Sequence, residues 1–453
     1  MGKGRKQTMA KVCLVSLGCP KNEVDSEIMG GLIEEAGLEL IEDCSQADVL
    51  IINTCGFIAD AQEESVDTIL QLAQYKEDNC EVLIVTGCLA QRYPEELQKE
   101  ITEIDAILGT GNFDEVVEVI KKGLEGQSRF EITAPDFDYK AELPRKRSDI
   151  GYSTYVKIAE GCNNCCSYCV IPKLRGNLKS RRIEDIVEEV NELADQGVKE
   201  VNIIAQDITK YGLDLYGKAK LVELLTELLK IDSIKWFRLL YAYPADFSEE
   251  LIEMIANNQR ICNYIDLPIQ HSDKKIRNKM GREGSKQEIL ALIEKLRDRV
   301  PKMTIRTSLI VGFPGETEKE FNNLLDFVKE AKFDRLGAFT YSREEDTPAA
   351  KMSAQVSEDI KEKRYEKIME LQQQISLDRN QQWLGREVDV LVEEVQEEGE
   401  ESLIVGRTER DAPEIDGLIY IKDVENTNKK PGDFIKVRIS DAYEYDLIGE
   451  EVK

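Results

Sequence analysis

The stretch TYVKIAEGCNNCCSYCVIPKLRG, Thr154–Gly176, decides how this chain is read. Its opening is an apolar run rich in β-branched and aromatic residues that ends at Gly161, the pattern of a strand running into a loop. The loop carries Cys162, Cys166 and Cys169 at C-x3-C-x2-C spacing. Three thiolates on one loop can hold three irons of a four-iron cluster, which leaves the fourth iron open to a small ligand. Cys165 adds a second pattern, because Cys162–Cys165 and Cys166–Cys169 are both C-x2-C, the spacing of zinc and two-iron sites. That pairing leaves no residue between the two pairs and draws all four ligands from a nearly continuous run, so the three-cysteine cluster is preferred. Tyr168 directly precedes the last cysteine; its ring either lies against a ligand's adenine or packs on its own loop. The sequence leaves both open.

Five further strand candidates follow this one, each trailed by a helical pattern: VKEVNIIAQD from Val198, WFRLLYAY from Trp236, YIDLPIQ from Tyr264, TIRTSLIVG from Thr304 and RLGAFTYS from Arg335. Six strands in βα order predict a partial (βα)6 barrel, with the cysteine loop at the carboxyl end of its first strand, where such barrels keep their active sites. A long polar helix is expected from about Ser357 to Trp383. The central domain is placed at 151–382.

Upstream, KVCLVSLG, VLIINT, EVLIVTG and DAILG alternate with helical segments, which implies a parallel sheet covered by helices over 9–130. In the first helix Val24, Ile28, Leu32 and Ile33 share one face. Cys19, Cys55 and Cys88 each follow one of these strands directly. The strand ends of a parallel sheet lie on one edge, and ligands bind at the carboxyl edge. Three cysteines far apart in sequence are therefore expected to converge as a second metal site. Gly18, Gly56 and Gly87 beside them allow close backbone approach. The plainer alternative is three buried cysteines acting as small hydrophobes. Cys13, Cys44, Cys80 and Cys262 show no such placement and are read as packing or surface residues. Residues 131–150 form an expected linker in which Arg145, Lys146 and Arg147 are solvated.

Downstream, from 383 to 453, five short strand candidates separated by Gly, Pro and Asn predict a small all-β barrel of the OB or TRAM kind. From Arg386 onward this segment holds 20 acids against 9 bases, a net of −11, within a chain of 453 residues and net charge −28. Such a surface repels a phosphate backbone and attracts basic partners. The sequence has one histidine, His271, which rules out a zinc site built on several; it is read as an orienting or packing residue of DLPIQH. Eleven cysteines, grouped and odd in number, are read as metal or redox residues of a reducing cytoplasm rather than a disulfide framework. No apolar run reaches the length of a bilayer span.

Together these features resemble the methylthiotransferases, a branch of the radical S-adenosylmethionine enzymes. The resemblance rests on GCNNCCSYCVIPKLRG, on the three N-terminal cysteines, on GFPGET at Gly312–Thr317 and on the terminal barrel, and it spans nearly the whole chain. It implies two [4Fe–4S] clusters, one on Cys162, Cys166 and Cys169, the other on Cys19, Cys55 and Cys88. It further implies that S-adenosylmethionine is cleaved to a 5'-deoxyadenosyl radical, and that an external electron donor is needed. One branch of the family modifies an adenosine of tRNA; another modifies the β-carbon of an aspartate in a basic protein of the small ribosomal subunit. The words SLGCPKN (Ser16–Asn22), IPKLRG (Ile171–Gly176), QDITKYGLDLYG (Gln206–Gly217) and FTYSREEDTPAA (Phe339–Ala350) resemble the second branch, and the acidic barrel agrees. Nucleic acid is thus an unexpected substrate, though the tRNA enzyme stays the alternative. A non-catalytic iron–sulfur scaffold is a more distant one, since it would need no open iron and no six-strand barrel. The sequence identifies no catalytic side chain.

Overall fold

Val49–Thr54 and Val82–Gly87 are apolar nearly throughout and buried at every position, which is what a strand covered on both faces requires. They are the centre of the first sheet in the computed structural model, which describes residues 9–136, 139, 143–147, 151–398, 401–422 and 428–452. Its strands are β1 (Lys11–Ser16), β2 (Glu39–Leu40), β3 (Val49–Thr54), β4 (Val82–Gly87), β5 (Ala106–Leu108) and β6 (Arg129–Glu131), ordered β2-β1-β3-β4-β5-β6. Every neighbouring pair is parallel. The short edge strands β2 and β6 went unread in the sequence. Around the sheet run α1 (Pro20–Glu35), α2 (Ala59–Ala73), α3 (Cys88–Arg92), α4 (Pro94–Glu100) and α5 (Val116–Leu124).

Helix α1 departs from the one-face expectation. Val24, Ile28 and Ile33 are buried as predicted, but so are Asn22, Asp25, Ser26 and Glu27. Those polar groups are tolerated because each has a partner. Glu27 is one reason the expected solvation fails for Arg145 and Arg147, while the Lys146 side chain is exposed as expected. Arg145 forms an ion pair with Glu27 at 2.5 Å, with both side chains under a tenth exposed. The Lys146 backbone N–H donates to the Glu27 carbonyl, its ammonium reaches Glu34 at 3.0 Å, and Arg147 is buried. A charge run that looked like linker is a strap that completes the cover of α1.

The chain divides into two compact units. One comprises Met1–Ile150, Ala159–Asn164 and Cys169–Asp185; the other comprises Gly151–Ile158, Cys165–Tyr168 and Ile186–Lys453. The first therefore takes in β8 (Ala159–Glu160), α6 (Ile171–Arg175) and β9 (Lys179–Ser180), which follow β7 (Ser153–Lys157) in sequence.

The second unit contains the six predicted central strands. After α7 (Ile183–Asp195) come β10 (Glu200–Ile204), α8 (Leu213–Tyr216), α9 (Leu221–Leu228), β11 (Trp236–Leu239), α10 (Glu249–Asn257), β12 (Ile261–Asp266), α11 (Lys274–Met280), α12 (Lys286–Arg299), β13 (Thr304–Val311), α13 (Glu318–Ala331), β14 (Arg335–Thr340) and α14 (Glu358–Gln381). The sheet runs β14-β13-β12-β11-β10-β7, parallel throughout. It is open, as six strands rather than eight imply. The C-terminal strands β15 (Glu387–Glu398), β16 (Glu401–Thr408), β17 (Ile419–Ile421), β18 (Phe434–Ala442) and β19 (Leu447–Glu451) close into a barrel of order β15-β16-β17-β19-β18.

That small barrel is more than an appendage. Its segment Arg407–Asp416 meets side chains from five successive strands of the open sheet. Glu200 on β10 binds Arg238 on β11 at 2.8 Å and Arg407 at 2.6 Å, all three essentially unexposed. Tyr264 on β12 donates to Asp416 at 2.7 Å, Arg306 on β13 lies 3.6 Å from the same carboxylate, and Arg335 on β14 binds Asp411 at 2.6 Å. Glu393, one of the acidic run Glu393, Glu394, Glu397 and Glu398, also turns to Arg407; the side chains of Glu397 and Glu398 lie outside the described residues. Asp411 and Asp416 are offset by the equally buried Arg407 and Arg410, so the barrel's net negative charge is carried by its surface.

Removing one member of such a network leaves its partners' charge buried and unpaired, a loss on the order of 3–5 kcal/mol. Burial raises the Glu200 carboxyl, but Arg407 and Arg238 outweigh it and hold the group at about 2. A depressed carboxylate contributes stability that is complete above its unfolded value, near 4.3, and is lost as pH falls toward 2. Glu200→Gln is thus expected to lower the melting temperature of the cluster-free chain at pH 7. Below pH 5 the wild type should lose melting temperature more steeply than the variant, and parallel slopes in a calorimetric pH series would refute the assignment.

Candidate iron–sulfur sites

The first parallel sheet carries Cys19, Cys55 and Cys88 directly past or just beyond the carboxyl ends of β1, β3 and β4. Cys19 precedes α1, Cys55 opens the loop to α2, and Cys88 starts α3. Cys55 and Cys88 are buried and Cys19 is exposed. The thiols are close enough for each of the buried pair to feel the charge of Cys19, and for Cys88 to feel that of Cys55. Burial pushes the Cys55 thiol up and the Cys88 thiol to about 11, the latter opposed by Arg175.

Two glycines make the convergence possible. Gly18 has φ +91°, and a Cβ there would stand 2.6 Å from Cys55 Cβ. Gly87 has φ +92°, and its Cβ would stand 2.5 Å from the Thr54 carbonyl. Only glycine meets both demands, a left-handed backbone and contact with the neighbouring strand's loop.

The edge is held by a buried polar group that the sequence reading did not find. Asn22 Nδ2 donates to the carbonyls of Leu17 and Thr54, both at 2.9 Å, and so ties the chain before Cys19 to the chain before Cys55. Arg175, four per cent exposed on α6, donates through Nη2 to Asn22 Oδ1 and through Nε to Cys88 Sγ at 3.4 Å. Its Nη1 meets Asp25 at 2.5 Å and Glu160 at 3.2 Å, and the Tyr139 hydroxyl donates to Asp25 at 2.6 Å. Val170 and Leu174 pack on Cys88. Asn22 and Arg175 stand in SLGCPKN and IPKLRG; a polar residue in the first turn of an apolar-faced helix and a cation three residues after a proline were the only local signals.

Cys162, Cys166 and Cys169 lie on the loop from β8 to α6. All three are partly exposed, and Cys165 is exposed. Cys162 Sγ accepts from the Asn164 backbone N–H and Cys169 Sγ from that of Ile171, both at 3.4 Å. Cys166 Sγ faces the Arg282 guanidinium at 3.9 Å. Donors aimed at sulfur can also hydrogen-bond an iron-bound thiolate. Ser167 anchors the loop, accepting from Ala349 N–H at its carbonyl and donating to the Lys279 carbonyl at 2.7 Å. The Tyr168 ring, partly buried, packs with Ile276, Met280, Phe313, Tyr341 and Ala349.

Soft thiolates suit iron–sulfur ligation, and both sets present them with few competing ligands. Among the described residues no group of three His, Cys, Asp or Glu side chains is already arranged around a metal position.

The remaining cysteines and the histidine divide. Cys80 and Cys262 are buried packing residues, and burial pushes the Cys262 thiol up to about 12. Cys13 and Cys44 are joined as a disulfide, with Cα atoms 5.2 Å apart; the expectation that they are packing or surface residues is corrected, because the turn after β2 carries Cys44 back over β1. His271 is fully buried: Nδ1 accepts from the Asp273 N–H at 2.9 Å, and Nε2 lies 3.3 Å from Glu316, which also binds Arg364 and the Gly312 N–H. It pins the GFPGET loop, an orienting role as expected. No helix among the described residues is long and apolar enough to cross a membrane. The extension before Met9 lies outside the described residues.

Known proteins align with this layout. Residues 11–109 match the family described as "Uncharacterized protein family UPF0004", residues 156–328 the radical SAM superfamily, and residues 384–452 the TRAM domain. Ribosomal protein uS12 methylthiotransferase RimO of Desulforamulus reducens is 52% identical over 98% of this chain and 99% of its own length. The proteins of that name from Clostridioides difficile and Geotalea uraniireducens are each 50% identical over 98% of this chain, covering 99% and 98% of their own. Among solved structures, the radical S-adenosylmethionine methyltransferase TsrM of Kitasatospora setae, with cobalamin and a [4Fe-4S] cluster bound, superposes with a TM-score of 0.58 at 16% identity, over 76% of this chain and 77% of that one. The cobalamin-dependent radical enzyme OxsB superposes with a TM-score of 0.52 at 12% identity, over 80% of this chain and 56% of that one. These two likenesses concern the fold alone.

Proposed function

The chain belongs to the ribosomal protein uS12 methylthiotransferases, a family of radical S-adenosylmethionine enzymes, and from that premise we propose that it adds a methylthio group to the β-carbon of an aspartate in uS12. The observation that carries this reading is the second cysteine set. A radical enzyme that only abstracts hydrogen needs one cluster; one that also inserts sulfur needs a second site, and Cys19, Cys55 and Cys88 occupy one sheet edge with a built polar support.

Cleavage of S-adenosylmethionine and delivery of sulfur are the chemistry that two bound [4Fe–4S] clusters supply. In this reading Cys162, Cys166 and Cys169 hold one cluster and leave an iron open, while Cys19, Cys55 and Cys88 hold the other. Asn164, Ile171 and Arg282 orient the first set of sulfurs. Tyr168 backs the loop with part of its ring and, being partly exposed, leaves the rest for a ligand's adenine. The working segments are 9–130 for the sulfur site, 151–382 for radical chemistry and 383–453 for the terminal barrel, joined through 131–150. The electron comes from an external donor, and the cytoplasm is the setting.

The acidic surface supports a basic protein substrate over nucleic acid: a uniformly negative field slows the approach of phosphate and steers a Lys- and Arg-rich partner. The test is incubation of anaerobically reconstituted enzyme with uS12 and with tRNA, followed by mass spectrometry. A methylthio mass on the uS12 aspartate alone is expected, with a rate that falls as salt screens the field to about 10 Å at 0.1 M. A methylthio group on a tRNA adenosine, with none on uS12, would replace this reading by the tRNA alternative.

A further inference from the structure

Of all the buried charges outside the Glu200 network, Arg175 has the least obvious reason to exist. It is a guanidinium in a core lined by Val170, Leu174 and Cys88. Two carboxylates, Asp25 and Glu160, already satisfy Nη1 and more than neutralise it. A cation present only to pair with Asp25 would have no need to send its remaining edges elsewhere. Yet Nη2 goes to the Asn22 amide, and Nε goes to a sulfur. Arginine has five donors in a fixed fork, so fixing Nη1 and Nη2 also fixes where Nε points. Asp25 and Asn22 both belong to α1, which begins right after Cys19. The fork thus sets the Cys88 sulfur relative to the helix that carries Cys19, and Asn22 passes the same constraint to the chain ahead of Cys55.

We propose that Arg175 is a positioning residue of the Cys19–Cys55–Cys88 site: it places the Cys88 sulfur, and by donating to it raises the reduction potential of the cluster held there. The proposal rests on the ligand reading given under the proposed function. Two general facts give it direction. Hydrogen bonds to the sulfurs of an iron–sulfur cluster are among the main determinants of its potential. An N–H donor and a positive charge at the thiolate stabilise the electron-rich, reduced state, so removing them lowers the potential. There is also an architectural consequence. Arg175 sits six residues after Cys169, on α6. The segment that follows the radical-cluster loop therefore completes the sulfur site, and the two cysteine sets are not independent modules.

The experiment uses the full chain carrying C162A, C166A and C169A, so that one cluster alone remains, reconstituted anaerobically with iron and sulfide. To this background are added Arg175→Gln, which removes the charge and the fork, and Arg175→Lys, which keeps a point charge without the fork. The midpoint potential is read by redox titration followed by electron paramagnetic resonance. Arg175→Gln is expected to be harder to reduce, with at least a tenfold lower reduced-to-oxidised ratio at the parent's midpoint, equivalent to about 59 mV for a one-electron couple. Arg175→Lys should shift the same way by less. If Arg175→Gln fails to fold or keeps no iron, Arg175→Lys decides. A lowered potential, or lost iron with the parent's far-ultraviolet circular dichroism, upholds the role; a parent-like potential and spectrum overturns it. Parent values in Arg175→Gln overturn it as well. A background protein that binds no iron defeats the ligand set itself, and the proposal falls with it. Iron bound normally, with Arg175 variants indistinguishable from the parent, defeats the proposal alone.

Discussion

Replacing Cys162, Cys166 and Cys169 by Ala is expected to abolish S-adenosylmethionine cleavage and to reduce bound iron from about eight atoms to about four, the loss of one four-iron cluster. The reason lies in the loop. Its cysteines are partly exposed, with backbone N–H groups of Asn164 and Ile171 and the guanidinium of Arg282 aimed at their sulfurs. Of the other cysteines in the described second unit, Cys262 is sealed in the core with its thiol pushed up to about 12, and Cys165 lies on the loop itself. The measurement is chromatography of 5'-deoxyadenosine after addition of S-adenosylmethionine and a strong reductant. Continued formation of that product by the triple variant would show that the radical cluster sits elsewhere. Cys165→Ala is a useful companion: if the three-cysteine pattern is right it should retain both iron and cleavage, whereas a paired C-x2-C site would lose its metal.

The second large effect concerns the other set. With Cys19, Cys55 and Cys88 replaced together, the methylthio product should disappear while 5'-deoxyadenosine still forms, and iron should again fall by about half. The separation of the two activities follows from the placement of these residues past one edge of the N-terminal sheet, away in sequence from the radical loop. The alternative is that they are small buried hydrophobes. The surroundings argue against it: an apolar role would not call for Arg175 at 3.4 Å from Cys88 or for a glycine at position 18 whose Cβ would strike Cys55. Product yield equal to wild type, by mass spectrometry of uS12, would return these cysteines to packing.

The stabilities of the two triple variants should differ as well. Cys55 and Cys88 are buried, so loss of their sulfurs leaves small voids in the first sheet's edge, at a cost typical of large-to-small core changes. The loop cysteines are partly exposed and their loss should cost less. Comparing the melting temperatures of the cluster-free proteins separates loss of metal from loss of fold.

Local pattern alone determined much of this protein. Strand periodicity and Gly-terminated apolar runs located four N-terminal strands, all six central strands and the five strands of the terminal barrel, because each is a short run whose side chains face a covered sheet or a closed core. The C-x3-C-x2-C pattern was legible because its cysteines are neighbours in sequence. The placement of Cys19, Cys55 and Cys88 along one sheet edge was legible at one remove, since parallel strands must end on one edge. What only the tertiary structure decided involves side chains whose partners lie far along the chain: Arg175 on Asp25 and Cys88, Arg145 on Glu27, Cys13 on Cys44, and Arg407 on Glu200. A charged residue in sequence reads as surface, because an isolated charge does not pay to be buried. Here long-range folding supplies each with its counter-charge, and that pairing, invisible to any window along the chain, converts an apparent linker into a strap, an acidic appendage into the stopper of an open barrel, and a lone arginine into support for a sulfur.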